Sequence, residues 1–331
     1  MLNPFERLRP PPSVDSFVES QAKRLSSIGG KTVKEREIRR LKDYRDRIEV
    51  YVEFVKAFPR INDLHPFYRT SLEIASGSLD RVRMCLSAIS RHASMAQNML
   101  ERYMVMIRRE PEERANSLMR AGFGRASSIL RKMSDCVEWI SEVVAVISKG
   151  KAIDPELPTV MVAGPPNVGK STLVSRISSA KPEIANYPFT TKEIHVGHMD
   201  CGMRVQVIDT PGILDRPDIE RNVIERKAVN ALRNLNGLVI FLFDVSTSSI
   251  YGAEQQLNIM REVKALGKPV ILAMNKIDAV DEAMRREILS RVGDKVLEIS
   301  SEKGTGIPEL KREIFNWLKS ISQDPSAVLD C

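Results

Sequence analysis

The sequence predicts an α-helical N-terminal bundle over residues 1–150, followed by an α/β domain with a mostly parallel sheet over residues 151–331. Three observations predict this. In the first half, apolar residues recur every three or four positions over long stretches, the spacing of a single helix face. The second half alternates short apolar runs with helical periods, the order expected of a layered βα domain. The halves also differ in charge: residues 1–150 hold 27 Lys+Arg against 19 Asp+Glu, and the remainder 23 against 24. The whole net charge of +7 therefore comes from the first half, which favours an anionic partner there, with nucleic acid a natural candidate.

Taken in order, residues 1–12 are Pro-rich and extended, and Ser13 begins a helix that runs to about Leu25. Gly29-Gly30 breaks the chain, and residues 32–58 form the next helix, which ends where Pro59 offers no N–H. Its basic run includes Arg36, Arg40 and Arg47, which fall roughly on one face. A shorter helix reaches about Ala75. Beyond Gly77, the stripe Val82, Cys85, Leu86, Ile89, Ala93, Ala96, Leu100, Tyr103 and Ile107 marks a helix of about 30 residues. After Pro111 a second long helix is expected over residues 112–148, with Ala115, Leu118, Ala121, Ile129, Met133 and Val137 on its buried side. Gly122 and Gly124 lie inside it and signal either close packing or a bend. Met84, Met95, Met99, Met104 and Met106 read as core.

Four scattered cysteines without a C-x-x-C pair suit a reducing, cytoplasmic compartment. The N-terminus lacks the apolar run of a secretory signal, and the longest apolar run is far too short to cross a bilayer. No membrane partner and no DNA are expected.

The second half opens, after a polar linker at 149–157, on a buried strand that runs into Gly164-Pro165-Pro166-Asn167-Val168-Gly169-Lys170-Ser171. This is G-x-x-x-x-G-K-[ST] between a strand and a helix, a loop whose backbone N–H groups cradle phosphate oxygens. Gly169 permits close backbone approach, Lys170 adds a point charge, and the Ser171 hydroxyl suits Mg²⁺, with Thr172 next on the helix. The loop at 178–192 places Thr190 and Thr191 where a nucleotide switch senses the metal and the γ-phosphate, and Thr191 is preferred as the metal-binding hydroxyl. A hairpin over 193–210 delivers Asp209-Thr210-Pro211-Gly212, with Asp209 near the metal and Gly212 positioned to offer its N–H to the γ-phosphate.

Asn275-Lys276-Ile277-Asp278 follows another apolar strand. The two acceptor oxygens of Asp278 match the N1–H and amine of guanine, a donor pair that adenine lacks. Asn275 can tie the base loop to the phosphate loop, the Lys276 stem can lie over the base, and the backbone of Ser300-Ser301-Glu302 can meet the guanine O6. These segments predict GTP/GDP and Mg²⁺ as ligands.

With these residues in place, the chain resembles the nucleolar GTP-binding protein family, Obg-related members of the TRAFAC GTPases. The resemblance extends to Leu64-His65-Pro66-Phe67-Tyr68, the switch segment NYPFTTK at 186–192 and DTPGILDRP at 209–217. It implies a helical bundle ahead of the GTPase domain, GTP hydrolysis at a slow intrinsic rate, and a role in large ribosomal subunit biogenesis, with pre-ribosomal rRNA and ribosomal proteins as partners. The chain is similar to the shorter archaeal form of that family. Ile213 stands where many signalling GTPases carry a water-orienting glutamine. The resemblance offers Asn167 as a site for K⁺ beside the phosphates. A ribosomal component, or Arg216 or Arg221, is the competing way to complete catalysis. A GTP-dependent RNA-modification factor and a membrane-associated GTPase with a helical stalk are the alternative functions.

Overall fold

A computed structural model describes residues 3–148, 153–186, 193–209, 229, 232–322 and 328. The chain divides into two compact units. One contains residues 4–63 and 75–148; the other contains residue 3, residues 64–74 and the chain from 149 onward.

In chain order the first six helices are α1 (Val14–Leu25), α2 (Val33–Ala57), α3 (Pro66–Ser76), α4 (Leu79–Arg109), α5 (Ala115–Arg131) and α6 (Ser134–Ile147). All but α3 build the first unit. Local chemistry sets their starts: the Thr32 hydroxyl accepts from Glu35 N–H at 3.1 Å, and the Ser78 hydroxyl from Arg81 N–H at 3.3 Å. Leu41, Tyr44, Ile48 and Tyr51 of α2 and Val82, Ile89, Ala93, Ala96 and Leu100 of α4 supply its fully buried core.

The structure corrects several expectations for this unit. Residues 112–148 are not one helix. A 3₁₀ turn at Glu112–Arg114 precedes α5, and the chain breaks again at Lys132-Met133 rather than at the glycines. Gly122 is instead a close-packing residue, because a Cβ there would lie 2.9 Å from Cγ of Tyr103. The buried stripe of α5 is Ala115, Met119, Gly122, Ala126 and Leu130, offset by one position from the predicted Leu118, Ala121 and Ile129. Cys85 and Cys136 are paired as a disulfide between α4 and α6, where separate reduced thiols were expected. They are 51 residues apart, and only the packing of two helices brings them together.

The basic run of α2 is largely neutralised within the unit. Glu37 is fully buried and receives Arg40 at 3.1 Å and Arg36 at 2.8 Å, while Arg47 pairs with Asp43 at 3.0 Å. Cations that make no ion pair among the described residues include a set on α4. Met84, Met95 and Met106 are exposed rather than core, at intervals of 11 residues, about three full turns. Arg91, Arg102 and Arg109 share that face and make no ion pair among the described residues.

The second unit runs β1 (Thr159–Ala163), α7 (Lys170–Ile177), β2 (Glu183–Asn186), β3 (Glu193–Asp200), β4 (Arg204–Asp209), β5 (Gly237–Asp244), α8 (Ala253–Lys264), β6 (Val270–Asn275), α9 (Glu282–Arg291), β7 (Val296–Glu298) and α10 (Ile307–Ile321). The strands form one sheet in the order β2-β3-β4-β1-β5-β6-β7. Pairings along β4-β1-β5-β6-β7 are parallel, and the β2-β3-β4 edge is antiparallel. Strand β2 lies in the loop expected to be irregular. Every residue of β1 and β5 is buried, which is why both read as unbroken apolar runs. Residues of α3 pack in this unit: Tyr68 OH donates to Ile153 O at 3.1 Å, and Asn234 Nδ2 to Thr70 Oγ1 at 3.2 Å. Because β1, β4, β5, β6 and β7 run the same way, the segments that follow them emerge on one edge of the sheet, where open α/β sheets bind ligands.

Candidate nucleotide site

The phosphate loop is built from backbone conformations that its residue types explain. Gly164 has φ 139° and Gly169 φ 99°, in the left-handed half of the map where a Cβ is strained. A Cβ at Gly164 would also lie 2.5 Å from Leu242 O, and one at Gly169 2.5 Å from Asn275 Nδ2. Asn167 takes φ 63°, a conformation that asparagine tolerates better than most side chains. Val168 is buried, and Gly169 caps the N-terminus of α7. Lys170 is nearly buried, with Nζ donating to Gly164 O at 3.0 Å and Pro165 O at 2.9 Å.

At the end of β4, Asp209 is fully buried and accepts from the Ser171 hydroxyl through Oδ2. Its second oxygen, Oδ1, has no hydrogen-bond partner among the described residues. A buried carboxylate oxygen left without a donor is costly unless a cation or bound water serves it. Ser171 and Asp209 thus fit a divalent metal, with oxygen ligands of the type Mg²⁺ prefers. His195, opposite Asp209 across the β3–β4 pair, brings Nδ1 to 3.6 Å from Oδ2. The sequence showed no acidic partner for His195, because the pairing arises only through strand register. Among the described residues, no cluster of three or more His, Cys, Asp or Glu side chains is arranged to hold a metal.

The base side assembles around Asn275. Its Nδ2 donates to Val168 O at 2.7 Å, and its Oδ1 accepts from Ser301 N–H at 2.9 Å and the Ser301 hydroxyl at 3.0 Å. Lys276 takes φ 63°, and its Nζ lies 2.7 Å from Oδ2 of the largely buried Asp244. Asp278 is exposed, and its carboxyl is held below the usual range, chiefly by the Ser300 hydroxyl and then by its own backbone N–H. Ser300 and Ser301 are buried. The structure thus brings together Pro166, Asn167, Val168, Gly169, Lys170, Ser171 and Thr172 with Asp209, and links them through Asn275 to Lys276, Asp278, Ser300, Ser301 and Glu302. Thr190, Thr191, Gly212, Ile213, Arg216 and Arg221 lie outside the described residues. Sequence reading missed three participants: Asp244, His195 and Arg176, each of which acts through contacts distant in the chain.

Comparison with known proteins is consistent with this geometry. Residues 5–154 match a family described as the NOG1 N-terminal helical domain, and residues 159–276 match one described as a 50S ribosome-binding GTPase. The chain is 32% identical over 294 residues to nucleolar GTP-binding protein 1 of Drosophila melanogaster, covering 85% of this chain and 44% of that protein. The chain belongs to the nucleolar GTP-binding protein family. The member from Saccharomyces cerevisiae is 33% identical over 237 residues, 70% of this chain and 36% of its own length. An uncharacterized protein of Methanocaldococcus jannaschii is 38% identical over 227 residues, 68% of this chain and 63% of that protein. The chain therefore spans less than half the length of these nucleolar relatives. Its second unit is a GTPase domain in a mostly parallel α/β fold preceded by a helical domain. Among the described residues, no helix is long and apolar enough to cross a membrane.

Proposed function

We propose that this member of the family binds GTP and GDP with Mg²⁺, hydrolyses GTP slowly, and uses its nucleotide state to control docking of a basic helical domain, residues 1–150, on the large ribosomal subunit precursor. The observation that carries the nucleotide reading is the continuous path Val168–Asn275–Ser301, which places a phosphate loop and a guanine-type base loop at a fixed separation. Support for an anionic partner such as rRNA comes from the charge split and from Arg91, Arg102 and Arg109 on the exposed α4 face.

In this reading, the amides of 166–172 and the Lys170 ammonium bind and orient the β- and γ-phosphates, while Asp278 accepts the two guanine donors. Bound Mg²⁺ neutralises charge that builds on the phosphate oxygens. Ser171 and Asp209 are its protein-side holders, with Thr191 joining them in the triphosphate state. Gly212 would then report the γ-phosphate through its N–H and release it after hydrolysis. Ile213 has no group to orient water, so completion of the site falls to K⁺ held beside Asn167 or to a partner. The test is GTP turnover in K⁺ and in Na⁺, with and without large ribosomal subunits, alongside Asn167→Ala. Acceleration by K⁺ that Asn167→Ala abolishes places the ion in the site. Acceleration by subunits in either salt places activation in the partner. No turnover under any of these conditions removes hydrolysis from the proposal.

A further inference from the structure

Arg176 lies on the second turn of α7, the helix whose first turn carries Lys170 and Ser171. Its exposed position would ordinarily send a guanidinium into solvent or to a nearby carboxylate. It makes no ion pair among the described residues. Instead its Nε donates to Ser301 O at 3.1 Å, and its Nη2 donates to Glu302 O, across a sequence separation of about 125. The planar guanidinium thus grips two successive carbonyls of the base loop, a geometry for which Arg is better suited than Lys.

The grip has a consequence for the loop's amides. In a trans peptide, the C=O and the following N–H point to opposite sides. With the carbonyls of Ser301 and Glu302 drawn toward α7, the N–H groups of Glu302 and Lys303 face away from it. Lys303 N–H accordingly reaches the Ser300 hydroxyl at 3.1 Å, and that hydroxyl serves Asp278. On the other side of the same loop, Ser301 N–H is held by Asn275. The loop is therefore fixed from two directions, by Asn275 from β6 and by Arg176 from the phosphate-loop helix.

We infer that Arg176 is a positioning residue for base selection: it anchors the 300–302 backbone to the phosphate-binding helix so that the loop's amide face is presented to the purine 6-position. This deepens the guanine-nucleotide reading and rests on it. A substrate with a carbonyl at C6 gains from a fixed amide face, and one without that oxygen does not. Arg176 would then contribute to discrimination without touching the nucleotide.

The test is titration calorimetry on the full chain with GDP, ADP and 2-aminopurine riboside 5′-diphosphate, which keeps the amine but lacks O6 and the N1–H, so that it binds more weakly than GDP in every variant and only its change between variants is read. Wild type is compared with Arg176→Met, which preserves the aliphatic stem, and with Arg176→Lys. The expected result is that Arg176→Met weakens GDP by about tenfold, the value of roughly one well-placed hydrogen bond. Binding of the 2-aminopurine analogue stays at its wild-type level, and Arg176→Lys recovers part of the GDP loss. Equal losses for GDP and the analogue would show a general structural role, and no loss for either would show an idle contact; both overturn the inference. Wild-type protein that binds GDP no better than ADP would overturn the guanine reading itself, and with it the role of Arg176.

Discussion

Asn275 Nδ2 donates to the carbonyl of Val168 at 2.7 Å, which joins the end of the base strand to the middle of the phosphate loop. The same side chain satisfies Ser301 N–H and its hydroxyl through Oδ1. Asn275→Ala leaves three buried groups without partners, at about 1–3 kcal/mol each. GDP affinity should fall by roughly 100-fold or more. Asn275→Asp keeps the acceptor for Ser301 but sets an oxygen against the Val168 carbonyl, so it should lose as much. Calorimetric titration of both variants with GDP checks this; wild-type affinity in Asn275→Asp would contradict it.

The hydrogen bond from Ser300 keeps Asp278 ionised at lower pH than an ordinary aspartate. Base recognition that needs the carboxylate should therefore persist to lower pH than an ordinary aspartate would allow. Ser300→Ala removes the largest cause of the depression and should move that acid limb to higher pH. Comparing the two proteins with GDP across the same pH series cancels titration of the nucleotide phosphates. Coincident profiles would show that Ser300 does not tune Asp278.

Gly122 and Gly124 sit two residues apart in α5 and should respond oppositely to alanine. A Cβ at Gly122 would press on Cβ and Cγ of Tyr103, the part of the ring system least able to move. Overpacking of that kind costs about 1–3 kcal/mol and outweighs the helix-propensity gain of about 1 kcal/mol. At Gly124 nothing lies within 4 Å, so Gly124→Ala should gain about 0.5–1 kcal/mol. Thermal or denaturant unfolding of the two variants gives the signs directly.

Much of this was legible in the sequence, for particular reasons. Gly164, Gly169, Lys170, Ser171, Asp209, Asn275 and Asp278 could be placed because each is tied to the end of a strand that announces itself as an apolar run. Ser13 reads as a cap in the sequence and does precede α1, but its side chain makes no capping hydrogen bond, whereas Thr32 and Ser78, which the sequence reading does not mark as caps, do cap α2 and α4. The break at Lys132-Met133 was not legible, because no Pro or Gly marks it and packing decides it. Strand β2 was hidden by two nearby prolines and exists through pairing with β3. The partners of Asp209 and Ser301 were invisible for the same reason: His195 and Arg176 reach them through register and helix placement, with no local pattern. Charge proved readable as a total but not by location. The α2 arginines are spent on Glu35, Glu37, Asp43, Asp46 and Glu101, while Arg91, Arg102 and Arg109 of α4 make no ion pair among the described residues.

If the α4 face meets rRNA, its arginines should govern the salt dependence of binding. Replacing Arg91, Arg102 and Arg109 together by alanine removes up to three phosphate contacts. The slope of log affinity against log salt should become shallower by roughly 2 to 3, at about 0.7–0.9 per contact. Equilibrium binding of large-subunit rRNA to the full chain across a salt series measures it. A parallel set with Arg36 and Arg40 replaced should change stability more than slope, since both clamp the buried Glu37.

If Asp278 reads guanine within a GTPase site, exchanging its carboxylate for an amide should change which base is bound. Asp278→Asn replaces one of two acceptors by a donor, which suits xanthine, whose 2-position carries an oxygen rather than an amine. The measurement is binding of GDP and XDP to wild type and to Asp278→Asn. The variant should lose GDP by roughly 100-fold or more and bind XDP more tightly than wild type does. Retained GDP affinity together with indifference to XDP would contradict it.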